Sequence, residues 1–371
     1  PSNTWINGQS RWLKDPTDVS YSSHRRTTVQ DPYSVNADKT DFSDGWFDVT
    51  MPDLNQRDPH MATYLIQNSI WWVEYAGLSG IREDTYSYAD KAFLTAWSKA
   101  IMDEYPHFNI VGEEWSSNPV TVSYWQAGKK NADGYQSFAP SMMDFPLYDT
   151  LIASLTKEED WGAGFIDLYQ MLANDVVYAN PSQLVLFEGN HDTNRIYSLM
   201  KNDIELYKMA MAYVLTSNRI PQIFYGSEIV MQSPAEGRND GAVRGDFPGG
   251  WPQDSVNVFT GKGLDPQQTE ALTFVRTLLN YRKNSLAIQQ GKLQHFVPQD
   301  GIYVQSRHQG NETLLVIYNK NTLAVELDLQ RFKPAINDNT IGVDIISKQS
   351  YSLSKPLSLA NKGVTILKLE R

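Results

Sequence analysis

The chain has no cysteine among its 371 residues. Disulfides, thiolate metal sites and cysteine nucleophiles are thereby excluded together, while the compartment stays open. Long apolar runs are missing as well: nothing approaches the ~20 residues that a membrane span needs. The opening PSNTWINGQSRW lacks the charged-then-apolar pattern of a signal peptide and starts in loop chemistry, as though in mid-sentence. Basic charge is scarce. Lys and Arg number 32 against 43 Asp and Glu, the net charge is −11, and no long Lys/Arg run supplies the basic face that nucleic acid needs. Histidine numbers six, with neither HExxH nor HxH, which argues against metal-assisted hydrolysis. GxSxG, GxGxxG and GxxxxGK[ST] are absent too, against serine-hydrolase, dinucleotide and phosphate-loop chemistry.

What is present is a packed chain. An apolar share of 41% and an aromatic share of 12% fit a globular protein, long enough for one large domain and a smaller one. Ten Trp and 20 Tyr serve a core first, and collectively suit a cleft that stacks the flat faces of sugar rings. Residues 1–56 read as an extended loop region. Thereafter helical periodicity at 59–75, 88–105, 164–177 and 203–217 alternates with strand-like runs. Those runs are GIREDTY, FNIVGEEW (108–115), SMMDFPLYD (141–149), QLVLFEGNHD (183–192) and IPQIFYGSE (220–228). Such alternation is the pattern of parallel βαβ units. After a helix at 267–285 the texture turns to short alternating runs with turns between them, a small antiparallel β-domain. The expected organisation is 1–287 and 288–371.

Ligands bind at the C-terminal strand ends of parallel α/β folds, and the residues there are charged. Arg82 and Asp84 share one strand face while Glu83 points to the other. Glu113 ends the next strand, and His191 and Asp192 end another. For Asn190–Asp192 alone, a metal site, a general-base pair and a satisfied turn all remain open. Each carboxylate also has a structural reading, as a buried ion pair for Asp84 and as caps for Glu113 and Asp192. Three at three strand ends are harder to dismiss, because gathered like charges cost stability. Paired carboxylates without a metal point to glycoside cleavage by one neutral acid and one nucleophile.

GIREDTY, VGEEWS, FEGNHDTNR, IPQIFYGSE and MPDLN (51–55) together resemble the alpha-amylase family of glycoside hydrolases, in its cyclomaltodextrinase and neopullulanase branch. The resemblance spans residues 24–251, and the tail after 288 resembles the family's C-terminal β-domain. It implies a (β/α)8 TIM barrel followed by an antiparallel β-sandwich. Asp84 would be the nucleophile, oriented by Arg82, and Glu113 the general acid and then base. Asp192 would grip the sugar hydroxyls with His191, and Asp240 and Arg244 would bind the non-reducing side of the substrate. Retention requires the two reacting carboxyls ~5–5.5 Å apart. The implied activity is cleavage of α-1,4-glucosidic bonds in cyclodextrins, pullulan or maltooligosaccharides. Transglycosylation by the same residues is the alternative, and a non-enzymatic glycan-binding protein a remoter one. No cofactor is required, a structural calcium is left open, and the resemblance suggests a periplasmic or secreted setting. Two features depart from the family. Glu83 and Glu114 stand where apolar residues usually pack outward, so each needs a partner. The family's first motif is absent, and five strands are counted where a barrel has eight. The chain is therefore expected to hold only the C-terminal part of the barrel, with the N-terminal part of the same enzyme as its partner.

Overall fold

The computed structural model describes residues 30–47, 51–234 and 236–371. The chain divides into two compact units. One runs up to Pro146 and adds Asn174–Val185; the other comprises Leu147–Ala173 and Leu186–Arg371.

In the first unit the expected loop over 1–56 is corrected where it is described: Asn36–Asp44 is a helix. Its sequence is too polar for a periodic signal, but one residue, Phe42, is buried against the Tyr88 ring at 5.1 Å. Tertiary docking of a single aromatic overrides a weak local preference. Residues 1–29 and 48–50 of that stretch lie outside the described residues. The helix Pro59–Ala76 is capped by Asp58, whose carboxylate accepts from the His60 and Met61 amides, and Gly77 closes it in the left-handed region. Strands β1 (Gly80–Glu83), β2 (Asn109–Gly112) and β3 (Ser141–Met142) follow, parallel and in that spatial order. Between β1 and β2 the helix Lys91–Glu104, capped by Asp90, buries Leu94, Trp97 and Ile101. Gly112 is needed at the end of β2, since a Cβ there would approach the Tyr86 ring to 3.0 Å and the Met142 thioether more closely still. Among the described residues, β1 has a neighbouring strand on one side only.

The strand expected over 141–149 is also corrected. It stops at Met142, and Phe145–Thr156 is a helix. Pro146 sits at its second residue, where a missing N–H costs nothing. A continuous apolar run cannot tell a buried strand from a buried helix, and here the proline marked the helix start.

β4 (Val185–Phe187), whose last two residues belong to the second unit, pairs with β5 (Ile220–Gln222), joined through the helix Ile204–Thr216. Asp203 caps that helix, which is buried from Tyr207 to Thr216 except at Lys208 because β-domain and helical neighbours enclose it. The helix Pro266–Asn284 opens with a capping box between Asp265 and Gln268. The expected junction at 287/288 falls inside the short helix Leu286–Gln290. Then come β6 (Lys292–Gln299), β7 (Ile302–Gln309), β8 (Glu312–Asn319), β9 (Val325–Leu327), β10 (Ile341–Asp344), β11 (Ser350–Ser352), β12 (Leu357–Leu359) and β13 (Gly363–Glu370). Six form an antiparallel sheet ordered β11-β10-β13-β8-β7-β6, and β12 pairs with β9. Inward residues of both layers, among them Val304, Ile317, Leu357, Leu359 and Leu367, make one core with Phe332 and Ile336. Among the described residues no helix is long and apolar enough to cross a membrane.

Candidate active site

Asp84 lies one residue beyond β1 and Glu113 one residue beyond β2. The parallel ladder runs on past both strand ends, with the Glu113 amide donating to the Glu83 carbonyl at 3.0 Å and the Tyr86 amide to the Glu113 carbonyl at 3.0 Å. The two carboxylates are thus held abreast by backbone. Between them stands Arg82. Its Nη1 donates to Asp84 Oδ1 at 2.7 Å and its Nη2 to Glu113 Oε1 at 2.5 Å. The other Glu113 oxygen accepts from the Thr85 amide at 3.1 Å. Thr85 adopts φ +48°, a left-handed conformation that a β-branched residue takes only under constraint.

The two carboxyls live in different surroundings. The Asp84 side chain is 57% exposed and that of Glu113 is 6% exposed. Burial raises the Glu113 pKa above the usual carboxyl value, against the Thr85 amide and Arg82, which lower it. The charge of Asp84 adds to the rise, and Arg82 reaches both carboxyls. Glu83 and Glu114, which wanted partners, are carboxyls of raised pKa. Burial lifts each to about 7; the charge of Asp84 adds to the rise for Glu83, while Ser87 and Trp125 draw Glu114 partly back.

A cavity of about 400 Å³ opens beside Asp84, lined by Glu83, Thr85 and the Met51–Leu54 part of MPDLN. The motif therefore stands next to the proposed nucleophile although it is some thirty residues away in sequence. Trp115, two residues past Glu113, lies stacked on Phe145 at 5.0 Å and keeps about half of its surface open. That indole was visible in VGEEWS, but nothing in the sequence told it apart from a core tryptophan.

The second unit holds the other expected residues. β4 ends at Phe187, so Asn190, His191 and Asp192 sit in the following loop and not on a strand. The turn reading holds in part: Asn190 Oδ1 accepts from the Asp192 amide at 2.8 Å, and the Thr193 hydroxyl from the Asn190 amide at 2.9 Å. Yet the Asp192 side chain is far from idle. Its Oδ2 meets His191 Nε2 at 3.0 Å, and its Oδ1 accepts from Arg244 at 2.8 Å and from Arg238 at 2.7 Å. Arg244 also donates to the His191 carbonyl at 3.0 Å. Asp240 takes Arg238 Nε at 2.5 Å and Arg244 Nη2 at 3.4 Å, which lowers its pKa, Arg238 being the main cause. Arg238 was missed in sequence. It lies two residues before Asp240, and a lone arginine in a polar loop carries no signal of its own. Among the described residues no three His, Asp or Glu side chains gather as metal ligands.

The family profile described as "Alpha amylase, catalytic domain" matches residues 12–273, and "Cyclo-malto-dextrinase C-terminal domain" matches residues 293–368. The chain belongs to the alpha-amylase family. A cyclomaltodextrinase of Geobacillus thermopakistaniensis (strain MAS1) is 26% identical over 284 residues, covering 75% of this chain and 43% of that protein. A cyclomaltodextrin glucanotransferase of Klebsiella oxytoca is 25% identical over 341 residues, covering 85% and 48%. Among solved structures, the alpha-amylase from Geobacillus thermoleovorans complexed with acarbose superposes with a TM-score of 0.72 at 24% identity, over 98% of this chain and 74% of that one. The fold is thus an alpha-amylase barrel fold with a C-terminal antiparallel domain. The chain spans about half the length of the curated relatives it matches, or somewhat less.

Proposed function

We propose that the chain takes part in retaining cleavage of α-1,4-glucosidic bonds in cyclodextrins, pullulan or maltooligosaccharides, through a covalent glycosyl intermediate. One observation carries this reading: a single guanidinium, Arg82, bridges an exposed carboxylate and a buried carboxyl of raised pKa. A buried carboxyl of raised pKa beside an exposed one is what acid and nucleophile require. Asp84 attacks the anomeric carbon while Glu113 protonates the departing oxygen. Glu113, now ionised, then takes a proton from the water that breaks the Asp84 ester. Asp192 and His191 hold sugar hydroxyls, and Asp240 and Arg244 the non-reducing side.

The transfer alternative has support in the glucanotransferase relatives and differs only in the acceptor. The deciding experiment follows the first product by proton NMR, where an α-anomer from an α-glucan supports retention and a β-anomer overturns it. Products longer than the substrate, formed from maltotriose, assign transfer.

The complete barrel, we further propose, includes an N-terminal part of the same enzyme that pairs with the side of β1 left without a strand among the described residues. Supporting this are the greater length of the relatives and the exposed aromatic face of the helix Pro59–Ala76, where Trp71 stacks on Tyr75 at 4.7 Å beside Trp72.

A further inference from the structure

Two buried ionisable side chains bracket the loop Gly189–Asn194, and neither enters the chemistry above. Glu188, fully buried, precedes the loop, and Arg195, 1% exposed, follows it. Both reach the same short segment. Glu188 Oε1 accepts from the Phe224 amide at 2.7 Å, and Arg195 Nη1 donates to the Tyr225 carbonyl. The guanidinium also packs on the Phe224 and Tyr225 rings, 4.3 and 4.9 Å from their centroids, and the Arg195 amide donates to the Ser233 hydroxyl at 2.9 Å. Gly226 closes the segment at φ +83°, with no room for a Cβ beside Met231 and Arg195.

We propose that Glu188 and Arg195 are positioning residues that clamp both ends of the His191–Asp192 loop onto Phe224–Gly226, so that these two side chains meet the sugar in one fixed orientation. This rests on the reading of His191 and Asp192 as sugar-binding residues. Burying an arginine that has no carboxylate within ion-pair distance among the described residues is costly, and a hydrophobic filler would satisfy packing alone. What packing cannot supply is a directed bond from each loop end to adjacent peptide groups, and that is what these two side chains provide. Arg195, Glu228, Tyr148 and Tyr207 surround the Glu188 carboxyl, with the Ser227 hydroxyl beside it. Burial, aided by Glu228, holds Glu188 protonated at neutral pH, so the neutral amide of glutamine can replace it and still accept from Phe224.

Amide hydrogen exchange in the full chain tests the clamp, with the loop 189–194 read against the helix Pro266–Asn284. Glu188→Gln is expected to exchange like the wild type. Glu188→Ala and Arg195→Met are expected to speed exchange in the loop by about tenfold or more while leaving the helix unchanged. Should Arg195→Met not fold, Arg195→Lys keeps the charge but loses the planar stack and the fixed fork, and the same local rise is expected. Loop exchange equal to wild type in Glu188→Ala and in the arginine variant overturns the proposal. So does a rise shared equally by the helix, which would signify general loosening. Binding of maltotriose to Asp192→Asn separates the underlying reading. Unchanged affinity there removes the sugar-binding role of Asp192, whereas the exchange data still decide whether the clamp exists.

Discussion

At the scale of single residues, chemistry follows from how two carboxyls are housed. In the enzyme with its barrel complete, Asp84→Asn removes the proposed nucleophile and keeps the shape, so turnover should be lost with the melting temperature nearly unchanged. Glu113→Gln removes only the proposed proton donor. Relative to wild type it should cost far less on an activated aryl maltoside than on maltotriose, and equal losses in kcat/KM would remove Glu113 from the acid role. Glu188 carries a separate pH signature. Its pKa stands at about 8 against 4.5 for a free glutamate, through burial. The folded protein therefore keeps a proton that the unfolded chain releases, and stability falls as pH rises from about 4.5 to about 8, then levels off. Glu188→Gln should flatten that fall by up to ~1.4 kcal/mol per pH unit. Urea denaturation of both proteins at pH 5 and pH 8 measures it, and identical slopes would show that Glu188 is ionised in the folded state.

Among the elements, β2 is the one on which the most rests, because Glu113 extends it by a single residue. Gly112→Ala forces a methyl group against Tyr86 and Met142. Overpacking of this kind costs ~1–3 kcal/mol, and here it also displaces the residue next to Glu113. Thermal denaturation should show a drop of several degrees, with activity falling further than stability explains; a variant with wild-type melting and kcat would mean the contact relaxes freely. This scale also shows where reading the chain succeeded. The helices Pro59–Ala76, Lys91–Glu104, Ile204–Thr216 and Pro266–Asn284 were legible within a few residues, because 3.6-residue periodicity and Asp caps are local signals. Apart from 141–149, most of which is helix, the strands were placed correctly but drawn too long. QLVLFEGNHD covers a strand of three residues, Val185–Phe187, since where a strand ends depends on neighbours that its own sequence does not record.

For the whole molecule, the side of β1 that has no neighbouring strand among the described residues and the aromatic face around Trp71, Trp72 and Tyr75 set the expectation. Unpaired edges of buried strands expose donors and apolar surface, and a barrel leaves none. Residues 1–371 expressed alone should therefore self-associate or stay inactive towards maltooligosaccharides, and gain activity when produced with an N-terminal barrel part. Light scattering and a cleavage assay check both. A soluble, fully active monomer would show that barrel closure by a further segment is not required. What the sequence determined by itself is the chemistry on offer: Arg82 and Asp84 two apart on one strand, Glu113 at the next strand end, His191 and Asp192 after a third. Side-chain type and strand period are written locally, and the motifs preserve their order. Only the tertiary structure decided which groups meet. Arg82 turns out to bridge Asp84 to Glu113, MPDLN lines the cavity beside Asp84, and Arg238 joins Arg244 on Asp192. Burial raises the pKa of Glu83 and of Glu114. These outcomes depend on distances between residues far apart in the chain and on how much water each loses, and both quantities exist only once the chain has folded.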